Sequence, residues 1–208
     1  MKILFVCTGN ICRSVMAEAF VQNLLPSAGS GINAQVRSAG LEAEEGESPP
    51  VEVIEVMGEH GIDVSGHRAH RLERVDVDWA DLILTMAMHN SQRLLTSHQD
   101  AVEKIFTLKE FVLQGEKRGR ELREKDAEKR LVDLRGWIRR VEGWEVSPNK
   151  PSLEENLRLF ILHYFHLYDH SFSIDDPIGQ SADFMRRTCE EIRESVQRLM
   201  GPDILAVV

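Results

Sequence analysis

A cysteine and an arginine six residues apart, in the stretch CTGNICRS from Cys7 to Ser14, are the residues of this chain best suited to chemistry. The thiolate of a cysteine is a strong nucleophile, and the planar guanidinium of an arginine can bind two oxygens of a tetrahedral anion together. A closed loop between them would return the Arg13 side chain to the neighbourhood of Cys7. The spacing therefore predicts a nucleophile and an anion clamp on one loop.

The residues on either side of this stretch predict how the loop is held. The apolar run from Ile3 to Cys7 indicates a buried strand of a parallel sheet. Ser14 is the predicted N-cap of a helix that reaches about Leu25, and Gly9 permits a tight turn before it. Loop amides and the helix N-terminus would then converge on an anion, and the same field favours the thiolate of Cys7.

Strand and helix signals alternate along the rest of the chain. This alternation is typical of an α/β domain in which helices cover both faces of a parallel sheet, in three layers. The remaining strands are predicted at 34–39, 82–86 and 104–107, and the remaining helices at 48–61, 89–96 and 181–200.

Composition restricts the classes of protein that this chain can be. Its 208 residues are 42% hydrophobic and predict one domain over residues 1–208. The net charge of −9 argues against nucleic-acid binding, and no apolar run approaches the ~18 residues that would indicate a membrane span. Three cysteines are too few for a disulfide scaffold and favour a reducing compartment, so we expect a cytoplasmic protein.

One segment interrupts the alternation. Residues 114–143 are rich in lysine and arginine and have apolar residues at helical spacing, which predicts a single amphipathic helix. The pattern SLEE at 152–155 is a capping box that begins a second helix. We therefore expect residues 113–172 to be an inserted helical hairpin, and a candidate docking surface for a partner.

Several motifs in combination resemble those of the low-molecular-weight protein tyrosine phosphatase family, which includes bacterial protein arginine phosphatases. They are CTGNICRS after the first strand, SAG at 38–40, DLILTM, KIFTLKEF and DDPIG before the last helix. The resemblance covers residues 1–112 and 173–200. It implies a flavodoxin-like strand order of 2-1-3-4, and hydrolysis of phosphorylated proteins or peptides through a phosphocysteine, without a cofactor or metal.

The resemblance also implies roles for individual residues. Cys7 would be the nucleophile, Arg13 the phosphate clamp and Asp176 the general acid that protonates the leaving group; Asp176 is chosen over Asp175 because it directly precedes Pro177. Cys12 would be able to form a reversible disulfide with Cys7. The residues expected to line or tie the phosphate loop are Thr8, Gly9, Asn10, Ile11, Cys12 and Ser14, and those expected to support it from outside are Ser38 and His67.

Departures from the family pattern leave the substrate open. Tyrosine-directed members have aromatic residues after Asp-Pro, where this chain has Ile178 and Gly179. Thr8 fits the arginine-directed members, whereas Ile11 is the tyrosine-type residue, and on balance we favour phosphotyrosine over phosphoarginine. Tyr164 and Tyr168 of the insertion are candidates for a substitute aromatic wall.

Other functions are also weighed. Arsenate reduction on the same scaffold needs two further cysteines after the third strand, and the TMAMHNSQ sequence there has none. A phosphate-binding regulatory module with a closed site is a further alternative. The histidines at 163, 166 and 170 have a spacing compatible with metal ligation, although no cysteine joins them, and we expect no metal site.

Overall fold

The computed structural model describes residues 1–25, 33–124, 126–138 and 172–206, and its centre is a four-stranded parallel sheet. The strands are β1 (Lys2–Cys7), β2 (Gln35–Gly40), β3 (Leu82–Thr85) and β4 (Ile105–Thr107). Their spatial order is β2-β1-β3-β4, with every neighbouring pair parallel. The predicted α/β fold and strand order are confirmed.

Helices follow the strands along the chain. They are α1 (Arg13–Leu24), α2 (Val51–Glu59), α3 (Arg74–Trp79), α4 (Met88–Ser97), a 3₁₀ helix (Gln99–Lys104), α5 (Leu108–Gly119), α6 (Ala127–Ile138) and α7 (Ala182–Leu199). The sequence pattern missed α3 and the 3₁₀ helix, because both are too short to show a helical period.

The central strand β1 shows why the domain has three layers. Successive side chains of a strand point to opposite faces. Ile3 and Phe5 belong to the larger core, which also contains the buried side chains of α1, α5 and α7. Leu4 and Val6 belong to a second core, beneath α3 and α4. A continuous apolar strand is therefore required, since helices cover both of its faces.

The start of α1 differs from the prediction. The helix begins at Arg13, and Cys12, which stands at the N-cap position, makes no side-chain capping bond. Ser14 lies inside the first turn, so its prediction as the N-cap is wrong. Its hydroxyl is instead directed to the loop that precedes the helix.

The predicted insertion is continuous with the domain. Helix α5 starts at Leu108 and crosses the expected boundary at residue 113, and α6 follows after a break. The prediction of one helix over 114–143 is therefore wrong. Leu131, Leu134 and Ile138 of α6 are buried in the larger core. The predicted second helix of the hairpin, together with Tyr164, Tyr168 and the three histidines, lies outside the described residues.

A buried arginine joins α6 to residues 202–204. The Arg130 guanidinium donates to the carbonyl oxygens of Gly119 (2.8 Å), Asp203 (2.9 Å) and Ile204 (2.5 Å). At Gly119 a Cβ atom would lie 1.5 Å from the Asp203 oxygen, so only glycine fits there. The end of α5 and the start of α6 are thus packed directly on residues 202–204.

No helix among the described residues has both the length and the apolar character that a bilayer-spanning segment requires.

Candidate active site

The candidate nucleophile lies at the carboxyl end of the central strand. Cys7 is the last residue of β1, and its side chain is buried. The Asn10 backbone N–H donates to the Cys7 Sγ at 3.2 Å, and the Ser14 Oγ lies 3.0 Å from the same sulfur. Two polar groups therefore meet the sulfur, at the edge of the sheet where open α/β folds place their ligands.

The direction of the Ser14 hydrogen bond follows from a third contact. The Asn10 Nδ2 donates to the Ser14 Oγ at 3.0 Å. Because that contact uses the serine oxygen as an acceptor, the serine proton is free to point to the Cys7 sulfur. The chain of donors from Asn10 through Ser14 therefore ends on the Cys7 sulfur.

Asn10 is the residue that shapes the loop. Its φ of +55° lies in the left-handed region, which asparagine tolerates better than most residues. Its Nδ2 also donates to the Ser38 Oγ at 2.8 Å, and its Oδ1 accepts from the His70 N–H at 2.9 Å. The His67 Nε2 lies 2.9 Å from the Asn10 carbonyl oxygen. Contacts on both ends of the residue thus fix an otherwise unfavourable backbone conformation.

Beyond Ser38 the network ends on a carboxyl group. The Ser38 hydroxyl donates to the Glu18 Oε2 at 2.5 Å, and the Gln22 side chain donates to the other oxygen at 2.9 Å. Burial raises the pKa of Glu18, and the hydrogen bonds from Ser38 and Gln22 and the nearby His67 only partly offset this effect. Ser38 and His67, the two predicted supporting residues, both contact Asn10.

Gly40 lets β2 approach the loop. A Cβ atom at this position would lie 2.8 Å from the Asn10 nitrogen, the Gly9 carbonyl carbon and the Thr8 oxygen. All three are backbone atoms, which cannot avoid a clash by rotating as a flexible side chain can. The loop is consequently packed directly on the end of the neighbouring strand.

The predicted clamp and the predicted acid contact each other. Arg13 is buried, and its Nη1 donates to the Ile174 carbonyl oxygen at 3.1 Å. Its Nη2 pairs with the Asp176 carboxylate, which is about half exposed. Two residues separated by 163 positions in the chain are thus brought to one place.

The remaining predicted loop residues form the mouth of the site. Thr8, Gly9 and Ile11 are partly exposed, and the Asn90 side chain donates to the Thr8 Oγ1 at 3.2 Å. Ile178 has 43% of its side chain exposed just after the Asp-Pro pair. Both the loop and the segment after Asp176 therefore carry an apolar side chain that is partly exposed.

Cys12 has a different environment from Cys7. It is a free thiol, buried against the Met185 side chain with a sulfur to sulfur distance of 3.9 Å. Burial, followed by the nearby Cys7, raises the pKa of Cys12. Within the described ranges, no group of three or more His, Cys, Asp and Glu side chains is arranged to hold a metal ion.

Sequence reasoning missed four residues of this network, Glu18, Gly40, His70 and Asn90. Glu18 follows Ser14 by four residues on α1, so helical spacing alone places it on the same face. Gly40 belongs to the SAG motif, although nothing in the motif indicates the close approach. His70 and Asn90 contact the loop from 60 and 82 residues away, which local patterns do not reveal.

Comparison with known proteins agrees with the fold. The family model for low molecular weight phosphotyrosine protein phosphatase matches residues 2–131 of this chain. The chain therefore belongs to the low-molecular-weight protein tyrosine phosphatase family and is a phosphatase. This confirms the resemblance. Asp176 lies beyond the matched range.

Relatives of both specificities are similar to this chain. A protein-arginine-phosphatase from Geobacillus stearothermophilus is 40% identical over 112 residues, which cover 53% of this chain and 71% of that protein. A probable low molecular weight protein-tyrosine-phosphatase, EpsP, from Ralstonia solanacearum is 41% identical over 109 residues, covering 52% of this chain and 71% of that protein.

Solved structures extend the likeness along the chain. A low molecular weight protein tyrosine phosphatase from T. tengcongensis superposes with a TM-score of 0.64 at 29% identity, covering 96% of this chain and 97% of that chain. An arginine phosphatase from Geobacillus stearothermophilus superposes with a TM-score of 0.62 at 26% identity, covering 96% and 90%.

Proposed function

We propose that this phosphatase hydrolyses phosphorylated protein side chains through a phosphocysteine formed on Cys7. The observation that carries the proposal is the pair of contacts on the Cys7 sulfur, from the Asn10 N–H at 3.2 Å and the Ser14 hydroxyl at 3.0 Å. Such contacts stabilise the thiolate that must attack phosphorus. Attack forms the S–P bond and breaks the bond from phosphorus to the leaving atom.

Arg13 has the role of phosphate clamp in this proposal. Its guanidinium is held by the Ile174 carbonyl through Nη1, so Nη2 is presented to one side in a fixed plane. In the free protein that side is taken by the Asp176 carboxylate. The phosphoryl oxygens of a substrate replace this carboxylate, and the loop amides and the N-terminal end of α1 share the rest of the charge.

Asp176 has the role of general acid. An alkoxide, phenoxide or amine leaves phosphorus slowly unless it takes up a proton as the bond breaks. Once Arg13 turns to the phosphoryl group, the released Asp176 carboxylate takes up a proton from solvent, and the resulting carboxylic acid donates this proton to the leaving atom. The same carboxylate then accepts a proton from the water that attacks the phosphocysteine, which releases inorganic phosphate and restores Cys7.

The preferred substrate in this proposal is phosphotyrosine. The partly exposed Ile11 and Ile178 side chains offer apolar surface to an aromatic ring at the mouth of the site. Phosphoarginine is the second candidate, because a protein-arginine-phosphatase is among the relatives with about 40% identity.

Arsenate reduction is less well supported. That chemistry passes a disulfide from the nucleophile to further cysteines. The third cysteine, Cys189, is buried in the core with its sulfur 3.8 Å from that of Met57, and burial raises its pKa to about 12. A thiol in that environment is a poor redox partner.

Hydrolysis of an aryl phosphate, a phosphotyrosine peptide and a phosphoarginine peptide under reducing conditions tests the proposal. We expect Cys7→Ser to abolish turnover of all three, and the matched Cys189→Ala variant to retain it. Acid-quenched wild-type enzyme should contain one phosphoryl group on the Cys7 peptide, measured by mass spectrometry. Absence of turnover by the wild-type protein would favour a phosphate-binding regulatory module instead.

The ratio of kcat/KM for the two peptides decides the substrate. A higher value for the phosphotyrosine peptide is expected if Ile11 and Ile178 contact the substrate ring. Ile11→Ser and Ile178→Ser should each lower kcat/KM for that peptide. A higher value for the phosphoarginine peptide would reverse the order of the two candidates.

A further inference from the structure

We infer that Lys109 is a positioning residue, which holds the segment that carries Asp176 against the sheet while Arg13 exchanges partners. The inference rests on the proposed function, in which Asp176 is the general acid. The Lys109 Nζ donates to the Ser173 carbonyl oxygen at 3.3 Å and pairs with Glu191 of α7 at 2.5 Å. One ammonium group thus joins α5, α7 and residue 173.

The stability of α5 gives no reason for a lysine at this position. Lys109 lies in the first turn of the helix, where the helix dipole disfavours a positive charge. The N-terminus is already capped by Thr107 and Glu110, each of which accepts from the other's backbone N–H. What the lysine adds is its contact with the neighbouring segment, and its side chain is only 22% exposed.

Two further bonds hold the same segment without involving Arg13. The Met88 N–H donates to the Ser173 Oγ at 3.1 Å, and the Ile174 N–H donates to the Met86 carbonyl oxygen at 2.8 Å. Met86 lies in the connection between β3 and α4, and Met88 is the first residue of α4. Together with Lys109 they fix residues 173 and 174, three and two positions before Asp176.

The contacts of Arg13 with this segment are the ones that the reaction disturbs. In the proposed cycle the guanidinium gives up Asp176 in order to bind phosphoryl oxygens, so its hold on the segment weakens as the acid is needed. Lys109 makes no contact with the phosphate loop among the contacts described, and its bond to Ser173 is therefore independent of the substrate. It preserves the position of Asp176 through the exchange.

Loss of this anchor should depend on the leaving group. Proton transfer accelerates the reaction most when the leaving group is a poor one. A small displacement of the acid therefore lowers kcat/KM more for such a substrate. Phenyl phosphate has a poorer leaving group than p-nitrophenyl phosphate. The ratio of their kcat/KM values therefore reports on the placement of Asp176, whereas a general loss of folding lowers both values equally.

The experiment compares four variants with the wild type on these two substrates. Lys109→Met keeps the length of the side chain but loses its charge and donors, and we expect kcat/KM for phenyl phosphate to fall about 5-fold, the effect of one lost hydrogen bond. The value for p-nitrophenyl phosphate should change less than about 1.5-fold. Lys109→Arg, which keeps the donors, should restore most of the ratio.

Glu191→Gln is the matched control. It removes the ion pair of Lys109 but leaves the bond from Lys109 to Ser173, so the substrate ratio should stay near that of the wild type. Asp176→Ala is the reference, and it should lower the phenyl phosphate value much more than the other.

The outcomes separate the two proposals. If Asp176→Ala changes the ratio and Lys109→Met lowers both substrates equally or neither, Lys109 has no positioning role and the proposed function stands. If Asp176→Ala leaves the ratio unchanged, Asp176 is not the acid, and the inference is overturned together with that part of the proposed function.

Discussion

The phosphate loop at residues 7–14 and the acid segment at residues 172–179 form the two sides of the candidate site, and they are built differently. The loop is tied through side chains, and Asn10 alone contacts Ser14, Ser38 and His70. The acid segment is tied mostly through backbone groups of Ser173 and Ile174, together with the Ser173 hydroxyl, while the Asp176 carboxylate remains about half exposed.

This difference matches the work that we propose for each side. Charge stabilisation at phosphorus requires donors that are already in place before the reaction, because reorganising them costs energy. A proton donor must instead change its partner in every cycle. The rigid side should therefore be sensitive to any substitution of its internal contacts, and the acid side mainly to loss of its anchors.

The largest expected effect is at the point where the two sides meet. Arg13→Lys keeps a positive charge but loses the planar fork, and with it the joint contacts to Ile174 and Asp176. We expect kcat/KM for an aryl phosphate to fall by about 10²-fold or more, measured by steady-state kinetics. Arg186→Lys, at an exposed arginine of α7, is the control and should have no such effect.

A second pair of variants tests what makes the loop rigid. Asn10→Gly and Asn10→Ala both remove the side-chain bonds and should lower activity similarly. Only alanine is disfavoured at a φ of +55°, so Asn10→Ala should be less stable than Asn10→Gly by about 1 kcal/mol in urea denaturation. Equal stabilities would mean that the loop relaxes its backbone, which would contradict the rigidity that we assign to residues 7–14.

The contact between β2 and the loop gives a stability test. Gly40→Ala places a methyl group 2.8 Å from three backbone atoms of the loop, and we expect a loss of about 1–3 kcal/mol in the free energy of unfolding. Gly58→Ala is the matched control, since it lies in α2 with open space around it. It should stabilise the protein by about 0.5–1 kcal/mol. A neutral Gly40→Ala would show that the loop can move away from the strand.

The smallest expected effect concerns pH. Burial raises the pKa of Glu18, so the stability that this residue contributes is complete below its ordinary pKa and decreases as pH rises through the raised value. Glu18→Gln does not titrate. Its free energy of unfolding relative to that of the wild type should therefore increase as the pH rises from about 4 to 7.

Urea denaturation at a series of pH values measures this difference, with Glu55→Gln at an exposed position of α2 as the control. A difference that stayed constant or decreased with pH would show that the Ser38, Gln22 and His67 contacts outweigh the burial of Glu18.

Local sequence was sufficient for the parts of the site that are local. An apolar strand, a glycine turn and a helix predicted the placement of Cys7 and Arg13 on one loop, and the geometry agrees. The prediction of Ser14 as an N-cap was wrong. A serine hydroxyl near a helix start can cap the helix or bind another polar group, and here it contacts the Cys7 sulfur.

The contacts that sequence patterns did not predict depend on residues that are distant along the chain. The close packing of Gly119 against Asp203 is one example, which no pattern in 114–143 indicates. The contacts of His70 and Asn90 with the loop likewise require the folded sheet. In each of these cases the deciding partner lies about 60 residues or more away along the chain.

The buried Arg130 also has a consequence for the order of folding. Its bonds to residues 202–204 close a chain segment of more than 70 residues. Such closures form slowly, because the chain loses entropy before the new contacts stabilise it. A nascent chain that has exposed α6 has the Gly119 carbonyl group but still lacks those of residues 202–204. Helix α6 and residues 202–204 should therefore become protected from hydrogen exchange together, after the sheet around Cys7 has formed.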